Sequence, residues 1–181
     1  MSRGSLVAGV LLAAGAGSRF GGPKVLADQG EWLRRGLAAL VDGGCDDVVV
    51  VLGAEVVSVP PPARAVVAAD WAAGMSASLR AGLDAIADAD FAVLALVDTP
   101  DVGADVVDRV LGAARATTSG LARAVYHGEP GHPVVIAREH WPELVATLHG
   151  DEGARRFLAG RDDVAVVECS DLASGHDVDM R

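Results

Sequence analysis

The 181-residue sequence carries 15 Lys and Arg against 25 Asp and Glu, a formal net charge of -10. That balance excludes a protein whose main task is to grip a nucleic-acid backbone. An aromatic content of 4% leaves little for a base-stacking platform. Apolar residues, at 51%, are enough to fill a core, and no apolar run reaches the ~20 residues that span a bilayer. Cys45 and Cys169 match no metal or redox spacing and read as reduced thiols of a cytoplasmic protein.

Residues 1–22 superficially resemble a signal peptide. Their apolar run leads straight into a patterned loop, however, so residues 6–12 read as a buried strand. A helix is expected at 31–41 and a second buried strand at 47–52, followed by a loop at the proline triplet 60–62 and a short strand at 65–68. A helix over 76–87 has Ser76 placed to cap it. The run FAVLALV (91–97) is the strongest strand, followed by a helix over 104–114. Strands at 121–126 and 133–136 flank a turn HGEPGH. Helical pieces at about 139–148 and 152–159 and a last strand at 164–167 complete the chain. This alternation predicts a single α/β domain over 1–181 with a mostly parallel sheet. In such sheets ligands bind outside the carboxyl ends of the strands, and the chemically interesting residues fall just after strands.

The segment LLAAGAGSRFGGPK (11–24) follows the first strand. Its glycines at 15, 17, 21 and 22 let backbone amides approach a ligand, and Arg19 and Lys24 are its only cations, a combination suited to polyphosphate. It is not a dinucleotide fingerprint, because Phe20 stands where the third glycine belongs. Nor is it a Walker loop, because Pro23 precedes Lys24 and Val25 follows it.

LAAGAGSRFGGPK resembles the nucleotide signature of the MobA-like nucleotidyltransferases, and within them looks most like the molybdenum-cofactor cytidylyltransferases. Five further segments match in order. WAAGMSASLRAGL (71–83) is similar to the family's Gly-Met-Ser segment, and LALVDTPDV (94–102) to its acidic metal motif. GHPVVI (131–136) and GDEGARRFL (150–158) resemble its acceptor-side motifs, and HDVDM (176–180) the start of its terminal acidic motif. The resemblance implies a Rossmann-like three-layer α/β/α fold of the nucleotide-diphospho-sugar transferase type. It implies a nucleotide site of Leu12, Ala13, Ala14, Gly15, Gly17, Ser18, Arg19, Lys24, Ser76 and Ser78. Arg19 and Lys24 would neutralise departing pyrophosphate.

Asp98 directly follows the most apolar strand, at the sheet's carboxyl edge. Asp177 and Asp179, spaced i, i+2, share one face of an extended segment. Magnesium bound to phosphates takes only one or two carboxylates. The resemblance implies the pair Asp98 and Asp179, while register alone leaves Asp177 as an alternative ligand or a supporting partner. The family motif continues Asp-Thr-Pro-Glu-Asp into a helix where this sequence has Met180-Arg181, so a weaker hold on the second carboxylate is expected. His132, in a constrained turn between Gly131 and Pro133, is implied to contact the acceptor. Asp151 and Arg155, four apart on one helical face, are implied to do the same, with Arg155 on its phosphate. Arg80 reads equally as a phosphate contact or a surface residue. His127, His140 and His149 read as surface residues, and Trp32, Trp71 and Trp141 as packing residues.

The resemblance thus implies a magnesium-dependent cytidylyltransferase. The phosphate of molybdenum cofactor would attack the α-phosphate of CTP and release pyrophosphate, with catalysis by positioning and charge. Ala14 favours CTP over GTP, since the family's guanylyl branch reads Leu-Ala-Gly-Gly. The rivals are transfer to another phosphorylated small molecule, a non-catalytic cofactor-binding partner of molybdenum hydroxylases, and a nicotinamide-linked oxidoreductase.

Overall fold

A computed structural model describes residues 4–180. Seven strands form one sheet: β1 (Val7–Ala13), β2 (Asp47–Leu52), β3 (Arg64–Val67), β4 (Phe91–Leu96), β5 (Leu121–Tyr126), β6 (Glu129–Ala137) and β7 (Ala165–Glu168). Their order is β3-β2-β1-β4-β6-β5-β7. Only β6 runs against the others, pairing antiparallel with β4 and β5. Five α-helices lie among the described residues: α1 (Glu31–Asp42), α2 (Met75–Ala85), α3 (Ala104–Ala116), α4 (Trp141–Thr147) and α5 (Arg155–Leu158).

The central strands are continuous apolar runs because both faces of the sheet are covered. All seven residues of β1 are buried. Leu11, Val50 and Val93 point to a core shared with Leu37 and Leu40 of α1 and Val106 and Val110 of α3. Val10, Val49 and Leu94 point to the opposite core, with Leu79 and Leu83 of α2, Leu144 of α4 and Phe157 of α5. This is the expected three-layer arrangement. Each large side chain buried in it contributes roughly 1.5–3 kcal/mol.

Strand and helix positions follow the sequence closely up to residue 126, with two local differences. A 3-10 segment over Lys24–Gly30 kinks at Asp28 and Gln29, both of positive φ. Gly74, not Ser76, takes the N-cap position of α2. Beyond residue 126 the differences are larger. The expected six-residue turn shrinks to His127-Gly128, with φ of 51° and 81°. Two successive positive φ values suit a two-residue hairpin turn, which leaves Pro130, Gly131 and His132 inside β6. The helix expected over 152–159 is a single turn, α5, preceded by a bridge between His149 and Glu152. Asp151 therefore lies before the helix, and Asp151 and Arg155 do not share a helical face.

Candidate functional site

The chain runs outward from β1 to β2 and β3, then crosses to β4 on the other side of β1. A crevice forms at the carboxyl ends of such a switch point. Here it is a cleft of about 560 Å³. One wall is the loop after β1, from Leu12 through Arg19, with Lys24. The floor is Leu96, Val97 and Asp98 at the end of β4. The far wall is Trp71, Ala72, Gly74, Met75 and Ser78, with Asp151 on the rim. Leu12, Ala13, Ala14, Gly15, Gly17, Ser18, Arg19, Lys24 and Ser78 thus share one cavity. Ser76 does not. It faces a separate groove with Arg80 and His149.

The glycine-rich loop closes on itself. Gly21 and Gly22 donate their amides to the Gly17 carbonyl at 2.9 and 3.1 Å. Gly17 has φ of +62°, and a Cβ there would stand 1.9 Å from the Gly22 oxygen, so only glycine fits. The amides of Gly21 and Gly22 are consequently used internally, which corrects the expectation that all four glycines serve a ligand. The amides of Gly15, Ala16, Gly17, Ser18 and Arg19 make no backbone hydrogen bond among the described residues, and they are the donors open to an anion. Phe20 packs on Trp32 at 5.2 Å between ring centroids, which braces the outer side of the loop.

Lys24 lies between two carboxylates. Its Nζ donates to Asp98 Oδ2 at 2.7 Å and to Asp179 Oδ1 at 3.0 Å. Burial alone would lower the ammonium's pKa, but these two bonds outweigh it and hold the pKa above the ordinary lysine value. The same bond from Lys24 depresses Asp179. Asp177 is pushed up, first by burial and then by the charges of Asp98 and Asp179. Asp98 lines the cleft and Asp179 joins it through Lys24.

Asp179 reaches this place because the tail is pinned before it. Arg109 of α3 clasps Asp171 with both terminal nitrogens, at 2.7 and 2.9 Å. Asp101 accepts from the Ser174 amide and hydroxyl. The Val178 amide donates to the Asp98 carbonyl at 2.9 Å. Among the described residues, no cluster of three or more His, Cys, Asp or Glu is arranged to hold a metal. The pair Asp98 and Asp179 nonetheless faces one cation, and Asp98 Oδ1 is buried with no hydrogen-bond partner.

Several sequence expectations change here. Trp71 packs against the α2-side core as expected and also lines the cleft, while Trp141 is buried and donates to the Ile136 carbonyl. Arg80 donates to the Val145 and Leu148 carbonyls, so it caps the end of α4 and not a phosphate. His140 is half-buried against the Ser119 carbonyl at 2.8 Å, not a surface residue. His132 and Arg155 do not line the main cleft. His132 is half-buried, and its imidazole pKa is pushed down to about 4, chiefly by desolvation and further by Arg123. Gly74 was not singled out by sequence. A Cβ there would meet Asp151 Oδ1 at 2.5 Å and the Gly150 oxygen at 2.6 Å, so glycine is required for the 150 loop to pack against the start of α2. Its sequence signal was its position directly before the helix.

The sequence profile of the MobA-like NTP transferase domain matches residues 9–166. A curated relative, nicotine blue oxidoreductase of Paenarthrobacter nicotinovorans, is 40% identical over 187 residues, covering 96% of this chain and 92% of its own. The crystal structure of Rv0371c from Mycobacterium tuberculosis H37Rv superposes with a TM-score of 0.80 at 28% identity, covering 98% of this chain and 95% of that one. A manganese complex of the same protein superposes with a TM-score of 0.73 at 26% identity, over 91% and 89%. No helix among the described residues is long and apolar enough to cross a membrane.

Proposed function

The chain belongs to the MobA-like NTP transferase domain family, and from that premise we propose that it transfers CMP from CTP to the phosphate of molybdenum cofactor, releasing pyrophosphate. The observation that carries this reading is the convergence of unspent loop amides, Lys24, Asp98 and Asp179 on one cleft.

In this reading the amides of Gly15 through Arg19 hold the triphosphate, and the Arg19 guanidinium adds mobile positive charge. Asp98 and Asp179 would hold Mg²⁺. The fit rests on the buried, unpartnered Asp98 Oδ1 and on an ammonium already lying between the two carboxylates. Two carboxylates are the usual protein share for magnesium on phosphates, and the manganese complex of the mycobacterial relative agrees with a divalent ion. When bound, that ion would supply Lewis-acid neutralisation of the phosphate oxygens. Lys24 gives up its carboxylates and turns to the phosphates. An oxygen of the acceptor phosphate bonds to the α-phosphorus, and the bond from that phosphorus to the bridging oxygen breaks. The acceptor is already an anion, so no general base is needed, and rate comes from positioning and charge. Ala14, which lines the cleft, supports cytosine over guanine by the family pattern.

A second reading, nicotinamide-linked oxidoreduction, is favoured by the name of the 40% identical relative. Phe20 in place of the fingerprint glycine speaks against it. The deciding experiment measures pyrophosphate release with Mg²⁺ and molybdenum cofactor, comparing CTP, GTP and ATP. Release with CTP alone supports cytidylyl transfer. Oxidation of NADH or NADPH without pyrophosphate release establishes the second reading.

A further inference from the structure

Arg123 of β5 is a cation without a partner. Its Nε is fully enclosed and makes no hydrogen bond. Arg64, Arg80, Arg109, Arg138 and Arg161 each donate to a carbonyl or carboxylate. A half-buried arginine whose Nε is enclosed without such a partner is costly, the more so in a chain with a net charge of -10 that has carboxylates to offer.

Two further basic side chains share its surroundings. Arg123 is in register with Val134 of β6, two residues after His132. Arg155 opens α5, whose Phe157 and Leu158 belong to the α2-side core. Arg123 is near enough to depress the His132 imidazole, and Arg155 near enough to lower Arg123 in turn, after burial as the larger cause. None of the three side chains makes a hydrogen bond or ion pair among the described residues. The cluster adjoins the cleft: β6 runs beside β4, whose Leu96 forms the cleft floor, and the loop before Arg155 supplies Asp151 to its rim.

The geometry points to Arg123 as a specificity-determining residue that, with Arg155, holds a phosphate-sized oxyanion of the second substrate beside His132. Two guanidinium groups present paired N–H donors matched to a tetrahedral oxyanion. A neutral imidazole adds one hydrogen bond without a third charge. The segments that resemble acceptor motifs contain His132 and Arg155 but not Arg123, so the inference deepens the nucleotidyl-transfer reading and rests on it for the identity of the ligand.

The test uses the full ¹⁵N-labelled chain, titrated with inorganic phosphate without metal or nucleotide and followed by amide shifts. Saturable shifts are expected at 123, 132 and 155. Arg123→Met should weaken phosphate binding there at least about ten-fold, and Arg123→Lys should weaken it less, with the rest of the spectrum unchanged. Phosphate shifts confined to the loop at 15–19, or equal affinity in Arg123→Met, overturn the inference. If Arg123→Met does not fold, Arg123→Lys carries the comparison, and wild-type affinity in it together with no shift at 155 is likewise contrary. A parallel titration with magnesium CTP separates the two readings. Phosphate bound at Arg123 with no CTP response at 15–24 leaves the anion site standing and removes nucleotidyl transfer. CTP response with no phosphate site does the reverse.

Discussion

Lys24 and Asp98 are 74 residues apart in the chain and 2.7 Å apart across the cleft. The lysine ends the glycine-rich loop and the aspartate ends β4, so one ion pair joins the two strand ends that define the switch point. Asp179 completes a bridge of two carboxylates about one ammonium. Half-buried pairs of this kind respond to loss of either partner.

Asp98→Asn removes the charge while keeping the shape. Pyrophosphate release in the presence of Mg²⁺ should fall at least about a hundred-fold, with the far-ultraviolet circular dichroism unchanged. Turnover at the wild-type rate would remove Asp98 from the mechanism.

Gly17→Ala places a Cβ 1.9 Å from the Gly22 oxygen at a φ of +62°. The loop must open, at a cost of about 1–3 kcal/mol for the strained conformation alone. Calorimetric titration with magnesium CTP should show affinity weakened by about ten-fold or more. Unchanged affinity would mean that the loop does not carry the nucleotide.

Replacing Arg123 with Met should raise the melting temperature, because a half-buried charge whose Nε is enclosed without a partner is removed. For a chain of this size each kcal/mol gained shifts the midpoint by about 2–4 °C. A lower midpoint would show that the guanidinium contributes more to the fold than its missing contacts indicate.

Acid sensitivity should trace in part to Glu168. Its carboxylate accepts from Ser170, His127 and Gly128, and these bonds, those from Ser170 foremost, hold its pKa down to about 2 from a usual 4.5. A folded-state pKa below the unfolded one gives stability that is present above pH 4.5 and lost as the pH falls toward 2. His132 acts in a higher window. Its imidazole is held at about 4 against a usual 6.5, so protonation favours unfolding as the pH drops from 6.5 to 4. Denaturant melts at pH 7, 5 and 3 should show Glu168→Gln losing less stability than wild type between pH 5 and 3. Equal losses would mean that the hairpin carboxylate is not linked to folding.

Much of the architecture is legible in the sequence because its signals are local. The apolar run of β1, the glycines of the loop and the aspartate after β4 lie within a few residues of the structure they specify. The stretch 127–132 was misread as a loop because Pro130 and Gly131 are turn residues by habit. Pairing of Glu129 and Pro130 with Tyr126 and Val125 of β5 overrides that habit and draws them into a strand.

By itself the sequence determined the order of strands and helices, the parallel sheet and the loop that follows β1, since hydrophobic periodicity and glycine conformation act over short spans. The tertiary structure alone decided which amides remain open, that Trp71 and Gly74 shape the cleft, and that Arg123 lies unpaired beside His132. It also decided where Asp179 sits, through the clasp of Arg109 on Asp171 and the bonds from Ser174 to Asp101. Those outcomes depend on contacts between residues tens of positions apart, and no pattern within either segment encodes them.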